Sequence, residues 1–161
     1  MRTMETMAHR AESAPVSTPA AAAAPAPPGL VGIKLVVDDL EASAAFYTAV
    51  FGMIEVERVK VDTGIRYPLD EIILSSGGAQ ATEFRLILLK YVGKAPPSRS
   101  DHILCFVVPD LDAVVEHLPK MGGKLLRPPQ KIREEGSRMT IAADNAGNLL
   151  EIVQVAERAV D

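Results

Sequence analysis

Two stretches of the chain carry the same succession of apolar patterns. In the first, Leu30–Val37 is an apolar run of strand length, after which Leu40, Ala44, Tyr47 and Phe51 fall on one side at helical spacing. Asp38 stands at the junction as a capping residue, Glu41 three residues on completes a capping box, and Gly52 sits where a helix closes. Three strand-like segments follow, Met53–Asp62, Asp70–Ser75 and Glu83–Tyr91, with Gly77-Gly78 turning between the last two. In the second stretch Ile103–Val108 is the strand, Asp110 the cap, and Leu111, Val114, Val115 and Leu118 the stripe. Pro119 tightens or ends its last turn and Gly122-Gly123 stop it. Lys124–Arg127, Arg138–Ala143 and Leu149–Val155 then supply three strands, the last pair joined by Asn145-Ala146-Gly147-Asn148.

These stretches are copies of one unit. Val36-Val37-Asp38-Asp39-Leu40-Glu41-Ala42 returns as Val107-Val108-Pro109-Asp110-Leu111-Asp112-Ala113, with Asp39 reappearing as Asp110 71 residues later. Each copy reads βαβββ, so the fold class is α+β. A sheet covered by one helix leaves its other face open, and two such units close that gap by pairing. The expected architecture is therefore two tandem βαβββ modules, residues 29–92 and 100–157, forming one curved, partly closed sheet around a shared cavity with helices outside. Together they make one domain over residues 29–157.

Residues 1–28 read as a disordered Ala/Pro-rich tail: Ala20–Ala24, Pro25, Pro27 and Pro28 offer little to bury and remove backbone donors. The alanines are broken by proline and form no secretory apolar stretch, which favours a linker or frayed extension in a cytoplasmic protein. A transit peptide is the alternative, given Arg2, Arg10 and few acids.

Composition narrows the function. The 161 residues are 48% hydrophobic and carry a net charge of −4, which suits a globular domain and lacks the basic excess of a nucleic-acid binder. No apolar run approaches the length of a membrane span. A single cysteine, Cys105, excludes an intrachain disulfide framework and any cysteine-based zinc site.

The duplicated βαβββ, the V-x-D-L-[DE]-A junctions, Phe46-Tyr47 in the first helix and Asp144-Asn145-Ala146-Gly147-Asn148-Leu149-Leu150-Glu151 resemble the vicinal oxygen chelate superfamily. That superfamily includes glyoxalases, bleomycin-resistance proteins, fosfomycin-resistance enzymes and extradiol dioxygenases, which share a scaffold and differ in chemistry. The resemblance implies a metal held by His or Glu from the first and last strands of each module. Those positions fall on Gly32, Ile87, Ile103 and Glu151, and one carboxylate does not hold a divalent ion against water. His102 lies one residue before the expected position; in a strand that turns it to the opposite face unless a bulge shifts the register. No metal and no cofactor is therefore expected.

Strand alternation gives the cavity wall that remains. Ile33, Leu35 and Val37 belong under the helix, leaving Gly32, Lys34 and Val36 toward the cavity; Phe84, Leu86 and Leu88 belong to the core, leaving Glu83, Arg85, Ile87 and Leu89 inward. The second copy contributes Ile103, Cys105, Val107, Leu149, Glu151 and Val153. Such an apolar cup with a few charges suits a small organic ligand with polar handles. Lys34 needs water or a carboxylate, and Glu151 is the expected partner or, in a dry cavity, a general base; these two are the candidate catalytic residues. Arg85, Glu83, Ile87, Ile103 and Cys105 are candidate substrate-binding residues, although Glu83 and Arg85 also read as a solvated pair and Cys105 as a small packing residue. Arg66 and Tyr67, in the loop 63–68, offer an anion contact and a stacking surface if that loop overhangs the mouth. Residues 131–135 read as a solvated loop.

Three functions remain open at this stage. The first is a metal-independent lyase or isomerase acting on a small carbonyl compound through Lys34 and Glu151. The second is a non-catalytic ligand-binding or drug-sequestering protein, for which seven Phe and Tyr and no Trp supply little stacking surface. The third is a metal-dependent lactoylglutathione-lyase-like enzyme assembled through His102, Glu151 and a partner chain. The expected partner is a small organic ligand, with neither nucleic acid nor membrane, and a homodimer is an open assembly.

Overall fold

A computed structural model describes residues 30–64, 66–77, 84–96, 102–132 and 136–156. The tail 1–28 and Glu83 lie outside the described residues.

Both modules form in the order expected. Module one comprises β1 (Gly32–Val36), α1 (Leu40–Phe51), β2 (Ile54–Val61), β3 (Leu69–Ser75) and β4 (Arg85–Tyr91). Module two comprises β5 (Ile103–Val107), α2 (Leu111–His117), a 3₁₀ turn (Leu118–Met121), β6 (Lys124–Leu125), β7 (Gln130–Lys131), β8 (Arg138–Ala143) and β9 (Leu149–Gln154). Pro119 marks the change from α to 3₁₀ winding, because it cannot donate into the helical ladder.

The first helix starts one residue later than its sequence suggests. Asp39, in extended conformation, caps α1 by accepting from Ala42 N at 3.0 Å, so the Asp38–Glu41 capping box does not form. Asp110 caps α2 through Ala113 N in the same way, as its repeat position requires. Glu41 instead pairs with Arg58 on β2, whose hydrogen bonds hold the Glu41 and Glu55 carboxyls below the ordinary range.

Sheet one has strand order β1-β4-β3-β2, with β1 parallel to β4 and the rest antiparallel. Sheet two has order β5-β9-β8-β6, with β5 parallel to β9 and β7 also pairing β8. Among the described residues the sheets are separate, so the single curved sheet around a shared cavity is not formed within one chain. The modules meet instead through their helices: α1 packs on its own sheet and against α2 and the 3₁₀ turn. The helices, expected on the outside, therefore lie at the junction.

The reason is that α1 carries two apolar faces. Leu35, Ile72, Leu74, Leu86 and Leu88 of sheet one share one buried cluster with Leu104, Leu150 and Ile152 of sheet two, and Phe46 and Tyr47 stand within it. Phe106 on β5 stacks on Phe51 at 3.9 Å between centroids, and Tyr47 stacks on both. Gly123 makes the close approach at this seam: a Cβ there would meet Phe46 and Leu118 carbons at 2.8 Å.

One polar bond crosses the apolar seam. Tyr47 Oη donates to Asp144 Oδ2 at 2.8 Å, both residues being buried. Burial first, and then the aspartate's charge and hydrogen bond, push the tyrosine hydroxyl's pKa upward, so it stays a neutral donor. Asp144 also accepts from Ala146 N, Asn148 N and Asn148 Nδ2, which fixes the turn leading into β9.

Tyr47→Phe removes the one donor from helix α1 to this carboxylate and should cost about 1.5–3 kcal/mol in urea unfolding. Asp144→Ala, which also frees the turn, should cost more, and a double-mutant cycle should show coupling between the two sites above ~0.5 kcal/mol.

Candidate functional site

Because α1 covers one face of sheet one, the other face is open, and alternation sets what stands on it. Lys34, Ile87 and Ile73 lie abreast on β1, β4 and β3, and Val36, Leu89 and Glu71 form the next row. Leu89 is buried yet stands apart from the main core. Glu71 is only 6% exposed and accepts a hydrogen bond from Lys34 Nζ.

That contact corrects the expected pairing of Lys34 with Glu151. Glu151 is on sheet two, opposite Cys105 and Ile141, whereas Glu71 lies on Lys34's own sheet face two strands away, roughly 10 Å along the sheet. A four-carbon stem and a glutamate together span that gap. Sequence reasoning that treats residues 70–75 only as a strand does not find Glu71. The signal was available, since Leu69, Glu71, Ile73 and Ser75 alternate onto the face that Lys34 shares. Removing Lys34 alone would strand a buried carboxylate, at a cost of about 2–3 kcal/mol after allowing for the lysine's exposure.

The matching face of sheet two is apolar and exposed. Ile103 and Val107 are 46% and 74% exposed, with Leu149, Glu151 and Val153 half-buried beside them on β9. Cys105 is exposed on this face, which corrects its reading as a packing residue. Among the described residues, the Glu151 carboxylate has neither a hydrogen-bond nor an ion-pair partner. The structure thus orients Lys34 and Glu151 onto equivalent faces of two sheets and does not bring them together.

The other candidates divide. Arg85 and Ile87 stand on the open face of sheet one as read, but Phe84 precedes β4 and is 48% exposed, so it is no core residue. Arg66 and Tyr67 sit together near the last residue of β4, with the Arg66 guanidinium over the Tyr67 ring and the ring 6.1 Å from that of Tyr91. His102 is exposed just before β5, whose register runs without a bulge. Lys131, read as loop, pairs with Arg138 in the short β7–β8 ladder.

The four positions where the family would place metal ligands are symmetric in the structure. Gly32 and Ile103 open β1 and β5, while Ile87 and Glu151 occupy matching places on β4 and β9. A Cβ at Gly32 would lie 2.6 Å from the Arg85 carbonyl oxygen, so this backbone admits no ligating side chain there. With two isoleucines at the next positions, the residues present do not fit the metal. Among the described residues no group of three or more His, Cys, Asp or Glu side chains gathers. Two grooves lie elsewhere. One of about 340 Å³ at the seam is lined by Phe51, Phe106, Val107 and Val114, and one of about 310 Å³ lies by Glu41, Arg58, Lys60 and Asp70.

Comparison with known proteins bears on the fold. The model of the Glyoxalase/Bleomycin resistance protein/Dioxygenase superfamily matches residues 29–152. Glyoxalase I from Zea mays is similar in structure, with a TM-score of 0.61 and 22% identity over 80% of this chain and 45% of the maize chain. The chain thus spans about half the length of that enzyme. A glyoxalase-related enzyme from Fulvimarina pelagi has a TM-score of 0.53 and 27% identity over 79% of this chain and 88% of its own. The fosfomycin resistance protein FosX from Mesorhizobium loti has a TM-score of 0.55 and 23% identity, over 79% and 92%. No curated protein matches the sequence.

Gly32→Ala should destabilise the protein by about 1–3 kcal/mol, because the new methyl group meets a backbone oxygen that only a strand shift can move. A urea midpoint equal to wild type would show that β1 has room for a side chain there.

Proposed function

Because the chain belongs to the Glyoxalase/Bleomycin resistance protein/Dioxygenase superfamily, we propose that it binds a small organic ligand on the open sheet faces and works without the superfamily's metal. One observation carries this reading: the first ligand position is a glycine whose Cβ would strike Arg85, and two of the other three are isoleucines. The remaining donor, Glu151, is half-buried among apolar residues, and in this reading its carboxylate serves as the general base.

The faces complete one another across two copies. β1 and β5 each end their sheet, and the exposed Ile103 and Val107 beside them are the kind of surface that association buries. Lys34 on one copy then faces Glu151 of a second, and the ligand lies between. The homodimer supplies what one chain lacks.

The chemistry is acid–base. Glu151 takes the proton alpha to the ligand's carbonyl, and the C–H electron pair moves to the carbonyl oxygen, held by the Lys34 ammonium. Where the alpha carbon carries a hydroxyl, Glu151 returns the proton to the former carbonyl carbon while the hydroxyl proton passes to the first oxygen, which completes an isomerisation. Where the beta carbon carries a leaving group, the enolate re-forms the carbonyl and its electron pair makes the alpha–beta double bond as the group departs, which completes a lyase reaction. Glu71 keeps the lysine aimed along the sheet face. No cofactor enters, and the partners are a small ligand and a second copy, in the cytoplasm, with no nucleic acid or membrane. Among the described residues no helix is long and apolar enough to cross a membrane. A second reading, ligand capture without turnover, is favoured by the apolar face of sheet two, where Glu151 is the lone charge on β5 and β9.

Hydroxyacetone in D₂O with the full chain should lose its α-proton signals by NMR, and Glu151→Gln should slow this at least about a hundredfold. Lys34→Met with Glu71→Met, which removes the pair without stranding a charge, should slow it similarly while the urea midpoint holds. Binding without exchange would select capture. In sedimentation, wild type should run as a dimer and Val107→Glu as a monomer; a monomeric wild type would overturn the two-copy site.

A further inference from the structure

Tyr67 carries two cations. Arg66 Cζ lies 5.2 Å and Lys94 Nζ 5.1 Å from its ring centroid, and Lys94 Nζ lies 5.1 Å from the Tyr91 ring as well. The two rings meet near edge to face at 6.1 Å. Their loops are tied at the base: Val92 N donates to Pro68 O at 2.8 Å, and Tyr91 pairs with Leu69.

The two cations of this cluster differ from other cations of the molecule in what they meet. Arg58, Lys120 and Arg138 are each paired with a glutamate or aspartate. Among the described residues, Arg66 and Lys94 have no such partner and meet only aromatic rings. Attraction to the rings offsets part of the repulsion between the two like charges but uses none of their N–H donors for hydrogen bonding to oxygen. An oxyanion would satisfy both. Position adds to this, because Tyr91 shares the β4 face with Arg85 and Ile87, so the cluster stands at one end of the open face of sheet one.

We propose that Arg66, Lys94, Tyr67 and Tyr91 form an oxyanion-binding subsite that takes the carboxylate or phosphate of a small organic anion. The apolar part of that ligand lies along the sheet face. The proposal rests on the small-ligand reading above and narrows its ligand to an organic anion.

The test uses the full chain at low ionic strength, titrated with cyclohexanecarboxylate, with inorganic phosphate, and with cyclohexanemethanol as neutral isostere. The chain has three tyrosines and no tryptophan, and Tyr47 is fully buried, so changes in tyrosine emission report on Tyr67 and Tyr91. At least one anion should saturate, with amide NMR shifts concentrated at residues 66–69 and 91–95, and added salt should weaken it. Arg66→Gln and Lys94→Gln should each weaken binding about two- to fivefold, and the double variant should abolish saturation, with unchanged urea midpoints. Tighter binding of the carboxylate identifies an organic acid, and tighter binding of phosphate a phosphorylated ligand. The subsite is overturned if neither anion saturates, if the neutral isostere shifts the same amides equally, or if the double variant binds as wild type does. Failed proton exchange by the wild type with intact anion binding removes the acid–base chemistry and leaves the subsite standing.

Discussion

The hydrogen bond from Tyr47 to Asp144 sets the arrangement of the whole molecule. Its donor belongs to the helix of module one and its acceptor to the last turn of module two, and both ends are buried. A buried aspartate without partners would be costly, so the four hydrogen bonds it accepts make this geometry nearly obligatory. The same carboxylate that receives the tyrosine fixes the β8–β9 turn, and with it the register that puts Glu151 opposite Ile141. One interaction therefore joins the modules and holds the turn that leads into the strand carrying Glu151.

Joining through helices has a consequence for function. If α1 buries one side against its own sheet and another against α2, the far face of each sheet is left uncovered within the chain. The two uncovered faces differ in character. Sheet one presents Lys34 anchored by a nearly buried glutamate, with aromatic and cationic groups at its end. Sheet two presents aliphatic side chains around one carboxylate, that of Glu151, which has no partner among the described residues. Such unlike faces are complementary to each other, which like faces would not be.

Periodicity made most of the fold legible. The repeat from Asp39 to Asp110 located both helices, and alternation placed Leu35, Leu86 and Leu88 inside and Lys34, Ile87 and Ile103 on the opposite face. Two local readings slipped by a residue at element ends, where an adjacent pair of aspartates, Asp38 and Asp39, or a residue just ahead of a strand, Phe84, offers the pattern no means of choosing. Longer-range matters were not written in the pattern. Alternation tells which face a side chain occupies but not which strand lies next to it, so Lys34 was matched to Glu151 and not to Glu71. The helix stripe likewise shows that α1 is apolar on one side without revealing that Phe46, off the stripe, extends that surface around to the second module.

Gly32, Ile87 and Ile103 leave Glu151 without the company a divalent cation requires. The most direct measurement is elemental analysis of the protein purified without chelator and then equilibrated with excess zinc, nickel and manganese before gel filtration. The expected result is far less than one retained ion per chain, with the same unfolding midpoint before and after. One tightly held ion per chain, lost together with stability when Glu151 is replaced by Gln, would contradict it.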